Sequence, residues 1–247
     1  MTLEVKNLTG GYSQLPVLKD IDFTINDGEL VGLIGLNGAG KSTTIKEIIG
    51  ILQPQKGSIQ INGLTLKQDP EQYRKQIGYI PETPSLYEEL TLREHIGITA
   101  MAYDIPQEVA QQRAAKLLKT FRLENKLDWF PANFSKGMKQ KVMVLCAFLI
   151  EPSLYIIDEP FLGLDPLAIH ALLELMNQMK QTGASILMST HILATAEKYC
   201  DRFVVLHEGK IRAQGTIAEL RNEFGLHEAS LDEIYIELTK EQVADHE

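Results

Sequence analysis

Eight residues, GLNGAGKS at 35–42, carry the most specific chemistry in this chain of 247. They fit the spacing G-x-x-x-x-G-K-[ST]: glycines let backbone N–H groups point inward at an anion, and the helix that follows adds the positive end of its dipole. This places Lys41 for the outer phosphates of a nucleoside triphosphate and the Ser42 hydroxyl for Mg²⁺. Gly35, Leu36, Asn37, Gly38, Ala39, Gly40 and Thr43 complete the cradle. The partner carboxylates stand in LYIIDEP, 154–160. An apolar strand ending in Asp158 presents that carboxylate at the edge where open α/β sheets bind ligands. Asp158 is expected on Mg²⁺, directly or through water. Glu159 points another way, as the next residue at a strand end does, and is expected to polarise the attacking water.

A second anion-binding end lies at 134–150, FSKGMKQKVMVLCAFLI. Its first turn is small, polar and carries Lys136, Lys139 and Lys141, whereas the rest is apolar. Ser135 suits a helix N-cap, Gly137 lets a backbone come close, and the unpaired N–H groups with the helix dipole favour a polyanion. Met138, Val142, Leu145, Cys146 and Leu149 fall on one apolar face at helical spacing.

The base is argued from two rival segments. NKLD at 125–128 matches the N-K-x-D that reads guanine. That reading needs an apolar strand before it and an Asp-x-x-Gly upstream. Residues 120–124 make no such strand, and neither Asp69 nor Asp104 has the glycine. Tyr12, in GGYSQLPVL, instead offers a flat face on which adenine can stack.

The elements that must position these residues follow from periodicity. Residues 2–34 read as strands, the last at 29–34. A helix over 42–52 and strands at 58–61 and 77–80 come next. Residues 85–150 are helical almost throughout, with helices near 91–103, 106–121 and 136–150. Strands and helices then alternate: strand 154–158, helix 166–181, strand 185–189, a helix from about 191, strands 203–207 and 210–214, and helix 216–224. This is α/β with a helical insertion. Residues 226–247 form an acidic tail with room for one more helix.

Bulk composition narrows the partners. The chain is 44% hydrophobic and 23% charged, with a formal net charge of −9, which disfavours nucleic acid. Two distant cysteines, Cys146 and Cys200, give neither a disulfide framework nor a zinc spacing, and fit a reducing cytoplasm. The N-terminal MTLEVKNLTGGY has no signal-peptide pattern. The longest apolar runs, such as 142–150, fall far short of the ~20 residues that span a bilayer. Any work at a membrane requires a separate anchor.

With these motifs in order, the chain resembles the ATP-binding-cassette (ABC) ATPases over nearly its whole length. Tyr12 matches the adenine-stacking position, residues 35–42 the phosphate loop, Glu82 the lid position and residues 135–140 the family signature. Asp158 and Glu159 match the acidic pair, GLD at 163–165 the loop that crosses between subunits, and His191 the switch histidine. IGYIPETPSLYEELTLREH and FSKGMKQKVM are most similar to the single-domain ATPases of Ecs-type transporters of Gram-positive bacteria.

The resemblance implies a P-loop NTPase of the ABC-ATPase fold, with an N-terminal antiparallel β subdomain, a RecA-like core and an inserted helical subdomain. The ATPase domain would span 1–225, with 85–150 inserted in it and 226–247 as the tail. It implies ATP and Mg²⁺, with Lys41, Glu159 and His191 catalytic and Ser42, Glu82 and Asp158 at the metal. It further implies a head-to-tail homodimer in which Ser135, Lys136, Gly137 and Asp165 come from the opposite subunit.

The expected function is the ATP-hydrolysing subunit of an exporter, lying peripherally on the inner face of the cell membrane. Its partner would be a separate EcsB-like membrane subunit docking near residues 82–94, from Glu82 to Glu94. Two positions depart from the family pattern: Lys136 replaces the first of two signature glycines, and Glu82 replaces the common Gln. The competing expectation, a soluble relative acting on ribosomes, DNA or iron–sulfur assembly, is opposed by the single cassette and the lack of heptads in 85–150.

Overall fold

The computed structural model describes residues 1–12 and 15–244. Strand side chains point to alternate faces of a sheet, so a strand covered on both faces must be apolar nearly throughout. β3 (Leu30–Ile34), β6 (Leu154–Asp158) and β7 (Ser185–Thr190) are buried at every residue. In β6, Tyr155 and Ile157 enter one core while Leu154 and Ile156 enter another. With β5 (Ile77–Ile80), β8 (Arg202–His207) and β9 (Lys210–Gly215), these strands form a six-stranded sheet of order β5-β6-β7-β3-β8-β9. Every pairing is parallel except the β8–β9 hairpin.

A separate antiparallel sheet is built from β1 (Leu3–Gly10), β2 (Leu18–Ile25) and β4 (Lys56–Ile61), in the order β2-β1-β4. Its apolar face shares a core with one side of the larger sheet. The register of β2 shifts between Leu18 and Ile21, where Asp20 has φ +50°. This bulge turns both Leu18 and Ile21 inward, although strict alternation places them on opposite faces.

Helices fill the other layers. α1 (Lys41–Ile48) leaves β3, and α2 (Pro70–Lys75) precedes β5. The sequence reading lacked α2, although its start signals are local: the Asp69 side chain caps the Gln72 N–H and Pro70 sits in the first turn. α1 stops at Ile48, short of the expected 52, as Gly50 takes a left-handed turn. α3 (Leu92–Ala102), α4 (Gln107–Phe121) and α5 (Lys136–Ile150) stand between β5 and β6. α5 is packed by α3, α4 and β5. It therefore buries Val144, Ala147 and Phe148 as well as the expected Val142, Leu145 and Leu149, so more than one face is apolar contact.

α6 (Pro166–Gln181) joins β6 to β7, and α7 (Leu193–Tyr199) joins β7 to β8. α7 starts two residues later than expected because Ile192 is not helical; its N–H donates to Thr190 Oγ1. α8 (Ile217–Glu223) and α9 (Leu231–Ala244) follow β9. The acidic tail thus forms a helix, with 245–247 outside the described residues. Leu231, Ile234 and Tyr235 of α9 are buried in a core with Ala196, Phe203 and Val205.

Candidate functional site

The parallel strands β3, β6 and β7 end side by side, and the sequence-predicted chemistry gathers at those ends. The 35–42 loop runs from β3 into α1. Gly40 precedes the helix at φ 114° without any side-chain cap. A Cβ there would lie 2.7 Å from Leu18 Cδ2, which can shift, so it is the backbone conformation that selects glycine. The first N–H groups of α1 have no intrahelical acceptor, which leaves them for an anion. Lys41 is only 7% exposed. Its ammonium donates to the carbonyls of Gly35 at 2.8 Å and Leu36 at 3.4 Å, and lies 3.9 Å from Glu159 Oε1.

Asp158 ends β6 directly opposite Ser189 of β7. The Ser189 hydroxyl donates to Asp158 Oδ1. Burial pushes the Asp158 carboxyl up from its ordinary range; Glu82 and Glu159 add to the rise, while the Ser189 and Ser42 hydroxyls oppose it. Glu82 stands exposed in the segment after β5. Ser42 and Asp158 are hard oxygen donors and Glu82 adds negative charge felt at Asp158, a set that could hold Mg²⁺. Among the described residues, no group of three His, Cys, Asp or Glu forms a metal cage. Mg²⁺ is commonly held by one or two carboxylates with phosphate and water supplying the rest.

Glu159 is buried and has φ +47°, a left-handed conformation that costs a side-chain-bearing residue about 1–2 kcal/mol. Its N–H donates to both the carbonyl (3.1 Å) and the hydroxyl (3.2 Å) of Ser189, which holds it there. Its carboxylate Oε2 lies 2.8 Å from His191 Nδ1 and accepts the His191 N–H at 3.3 Å. The carboxylate is thus suspended between Lys41 and His191. Tyr12 is 60% exposed, with its hydroxyl accepting from Lys46 at 3.0 Å. The ring is open on the surface, and the Lys46 bond pulls its hydroxyl pKa down.

The signature residues form a second group. Ser135 caps α5, its hydroxyl accepting from the Met138 N–H at 3.2 Å. A Cβ on Gly137 would lie 2.3 Å from the Gly163 carbonyl, so the helix end rests directly on the 163 loop. Asp165 caps α6 at Ala168 N–H and pairs with Lys141 at 2.6 Å. Lys136 is exposed, its stem beside Gly163. Among the described residues, no hydrogen bond or ion pair joins Ser135, Lys136, Gly137 or Asp165 to the phosphate loop.

Three functional contacts escaped the sequence reading. Ser189 holds both acidic residues; its signal was a polar Ser-Thr end on an apolar strand beside the acidic one. Gln140 of α5 is fully buried and donates to the Pro81 carbonyl at 3.3 Å, tying the segment before Glu82 to the signature helix. Tyr235 of α9 accepts the Leu36 N–H at 2.8 Å, a contact across the chain with no local signal.

Comparison with known proteins agrees with this geometry. Residues 18–162 match the family model described as ABC transporter. The chain is 65% identical to the ABC-type transporter ATP-binding protein EcsA of Bacillus subtilis (strain 168), over 99% of each. It is 44% identical to the ABC transporter ATP-binding protein YthP of the same organism, over 93% of each. A solved ATP-binding subunit of an ABC transporter superposes with a TM-score of 0.95 at 63% identity, over 97% of this chain and 100% of that one.

Proposed function

Because the chain belongs to the ABC transporter ATP-binding family, we propose that it hydrolyses ATP at residues 35–43, 158, 159 and 191 to drive a separate membrane subunit. The observation that carries this is the Glu159 carboxylate, held 2.8 Å from His191 Nδ1 and 3.9 Å from Lys41 Nζ beside the loop. Lys41 donates to loop carbonyls, with the Glu159 carboxylate beside it. A triphosphate offers it a stronger partner, releasing Glu159 to orient water while His191 holds its other oxygen. Ser42, Asp158 and Glu82 would hold Mg²⁺, which offsets the charge of the phosphates. Tyr12 would stack on adenine. Catalysis is then positioning and charge stabilisation.

The signature group completes the pocket from a second copy. Ser135 and Gly137, with Lys136, would face the terminal phosphate bound in the other subunit, and Asp165 would keep the two in register. The ATPase unit is taken as 1–225 with 85–150 as its helical insertion. Docking on the membrane subunit is assigned to residues 82–94. That segment carries an exposed Tyr87 and is tied to α5 by the Lys139–Glu88 pair at 3.0 Å, while the Gln140–Pro81 bond holds the residue just before it. A push on it would reach the signature end through these two contacts. Among the described residues no helix is long and apolar enough to cross a membrane, so a peripheral place on the inner face of the membrane would depend on that partner. An EcsB-like partner and an exporting direction extend this reading by likeness to EcsA and to the Nod factor export ATP-binding protein I of Rhizobium meliloti, 35% identical over 87% of this chain. Co-purification from membranes in mild detergent tests the partner: the chain should bring down an integral membrane protein, and recovery only in the soluble fraction would contradict the assignment.

A further inference from the structure

The Gly35–Leu36 peptide is gripped at both ends. Its carbonyl accepts from Lys41 Nζ at 2.8 Å, and its N–H donates to the Tyr235 hydroxyl at 2.8 Å. A peptide unit is planar and rigid, so the hydroxyl on one side fixes where the carbonyl points on the other. Tyr235 is itself fixed: it is buried with Leu231 and Ile234 in the core that α9 shares with α7 and β8. The start of α9 is latched to α7, where Glu197 accepts the Leu231 N–H at 2.8 Å and pairs with Arg221 at 3.1 Å. Arg221 in turn donates to the Ala229 carbonyl at 2.7 Å. α7 begins two residues after His191. One C-terminal helix therefore touches the phosphate loop at one point and the helix behind the switch histidine at another.

We propose that Tyr235 is a positioning residue for ATP: by holding the Gly35–Leu36 peptide it keeps the phosphate loop and Lys41 arranged for the triphosphate, so that docking of α9 sets nucleotide affinity. This rests on residues 35–42 being the triphosphate site. Without the hydroxyl, the loop must order itself when nucleotide arrives, and that cost appears in binding rather than in the chemical step.

Tyr235→Phe keeps the ring in its apolar pocket and removes the hydroxyl that accepts from Leu36. Titration of the full-length wild type and Tyr235→Phe with MgATP at 10 °C compares affinities while both are folded, and melting without nucleotide confirms it. The expected result is affinity weakened about fivefold, the worth of one hydrogen bond, with KM raised to match and kcat within about twofold. Equal affinity for the two proteins would overturn the role of Tyr235, even if the melting temperature fell, since that would make the residue a packing element alone. A fall in kcat with KM unchanged would overturn it as well. Failure of the wild type to bind MgATP would instead refute the nucleotide-site reading, and the two failures are thereby distinguished.

Discussion

The two anion-binding ends of this chain are finished to different degrees. At the ends of β3, β6 and β7, each charged group has a partner within the chain: Lys41 has loop carbonyls, Asp158 has Ser189, and Glu159 has His191. At the head of α5, Ser135 satisfies one N–H and Lys136 stays exposed beside a glycine pressed against the 163 loop. Both ends use the same physics, uncapped N–H groups and a helix dipole. Only the first has the carboxylates and histidine that chemistry needs. This contrast fits the proposal that the chain binds nucleotide at the first end and lends the second, a charge-stabilising surface, to the pocket of another copy.

The sharpest way to break that contrast is Glu159→Gln. It keeps the shape and removes the charge that orients water, so turnover should fall about a thousandfold, ~4 kcal/mol of barrier, while MgATP still binds. Steady-state ATPase assay and nucleotide titration read the two sides; near-normal turnover would remove Glu159 from the chemistry.

Gly137→Ala attacks the other end. The added carbon would collide with the Gly163 carbonyl at 2.3 Å, displacing the head of α5. Turnover should fall about tenfold to a hundredfold, ~1.4–2.7 kcal/mol. Affinity for ATP on the separate subunit should not change, because the phosphate loop is untouched. An equal loss of both would merge the two ends into one site.

Glu82→Gln is milder. The amide keeps an oxygen donor for Mg²⁺ and removes one of the carboxylates that crowd Asp158. Turnover should stay within about tenfold of wild type; complete loss would show that the charge itself is required.

The smallest effect on chemistry, but a visible one on stability, belongs to Glu47. It is buried on α1, neither carboxylate oxygen finds a hydrogen-bond partner among the described residues, and burial pushes its pKa up to about 7. Its folded pKa exceeds the unfolded value of about 4.3. The folded state therefore holds the proton more tightly, and stability is lost as pH rises from the unfolded value through 7. Glu47→Gln should raise the melting temperature at pH 8 by about 4 °C and by clearly less at pH 5, which lies only just above the unfolded value. An equal shift at both pH values would contradict the assignment.

Much of this was legible in the sequence, and the reasons are local. β5, β6, α5 and α6 fall where periodicity and caps placed them, because buried apolar runs bounded by Asp, Ser, Pro or Gly leave few alternatives. The phosphate loop and the acidic pair are contiguous motifs, so their members could be read without the fold. The bulge at Asp20 was hidden because a strand's period is assumed until a left-handed residue breaks it. Ser189 and Tyr235 were hidden because their roles come from contacts 31 and 199 residues away along the chain. α5 was read as one-faced because the pattern of one helix does not reveal how many neighbours surround it.

Sedimentation of the Glu159→Gln protein with and without MgATP tests the central claim most directly, since that variant should trap the nucleotide. Adding MgATP should shift it from monomer to dimer, and Gly137→Ala in the same chain should abolish that shift. A Glu159→Gln protein that stays monomeric with MgATP bound, beside a wild type whose turnover per chain is fast at every dilution, would contradict it.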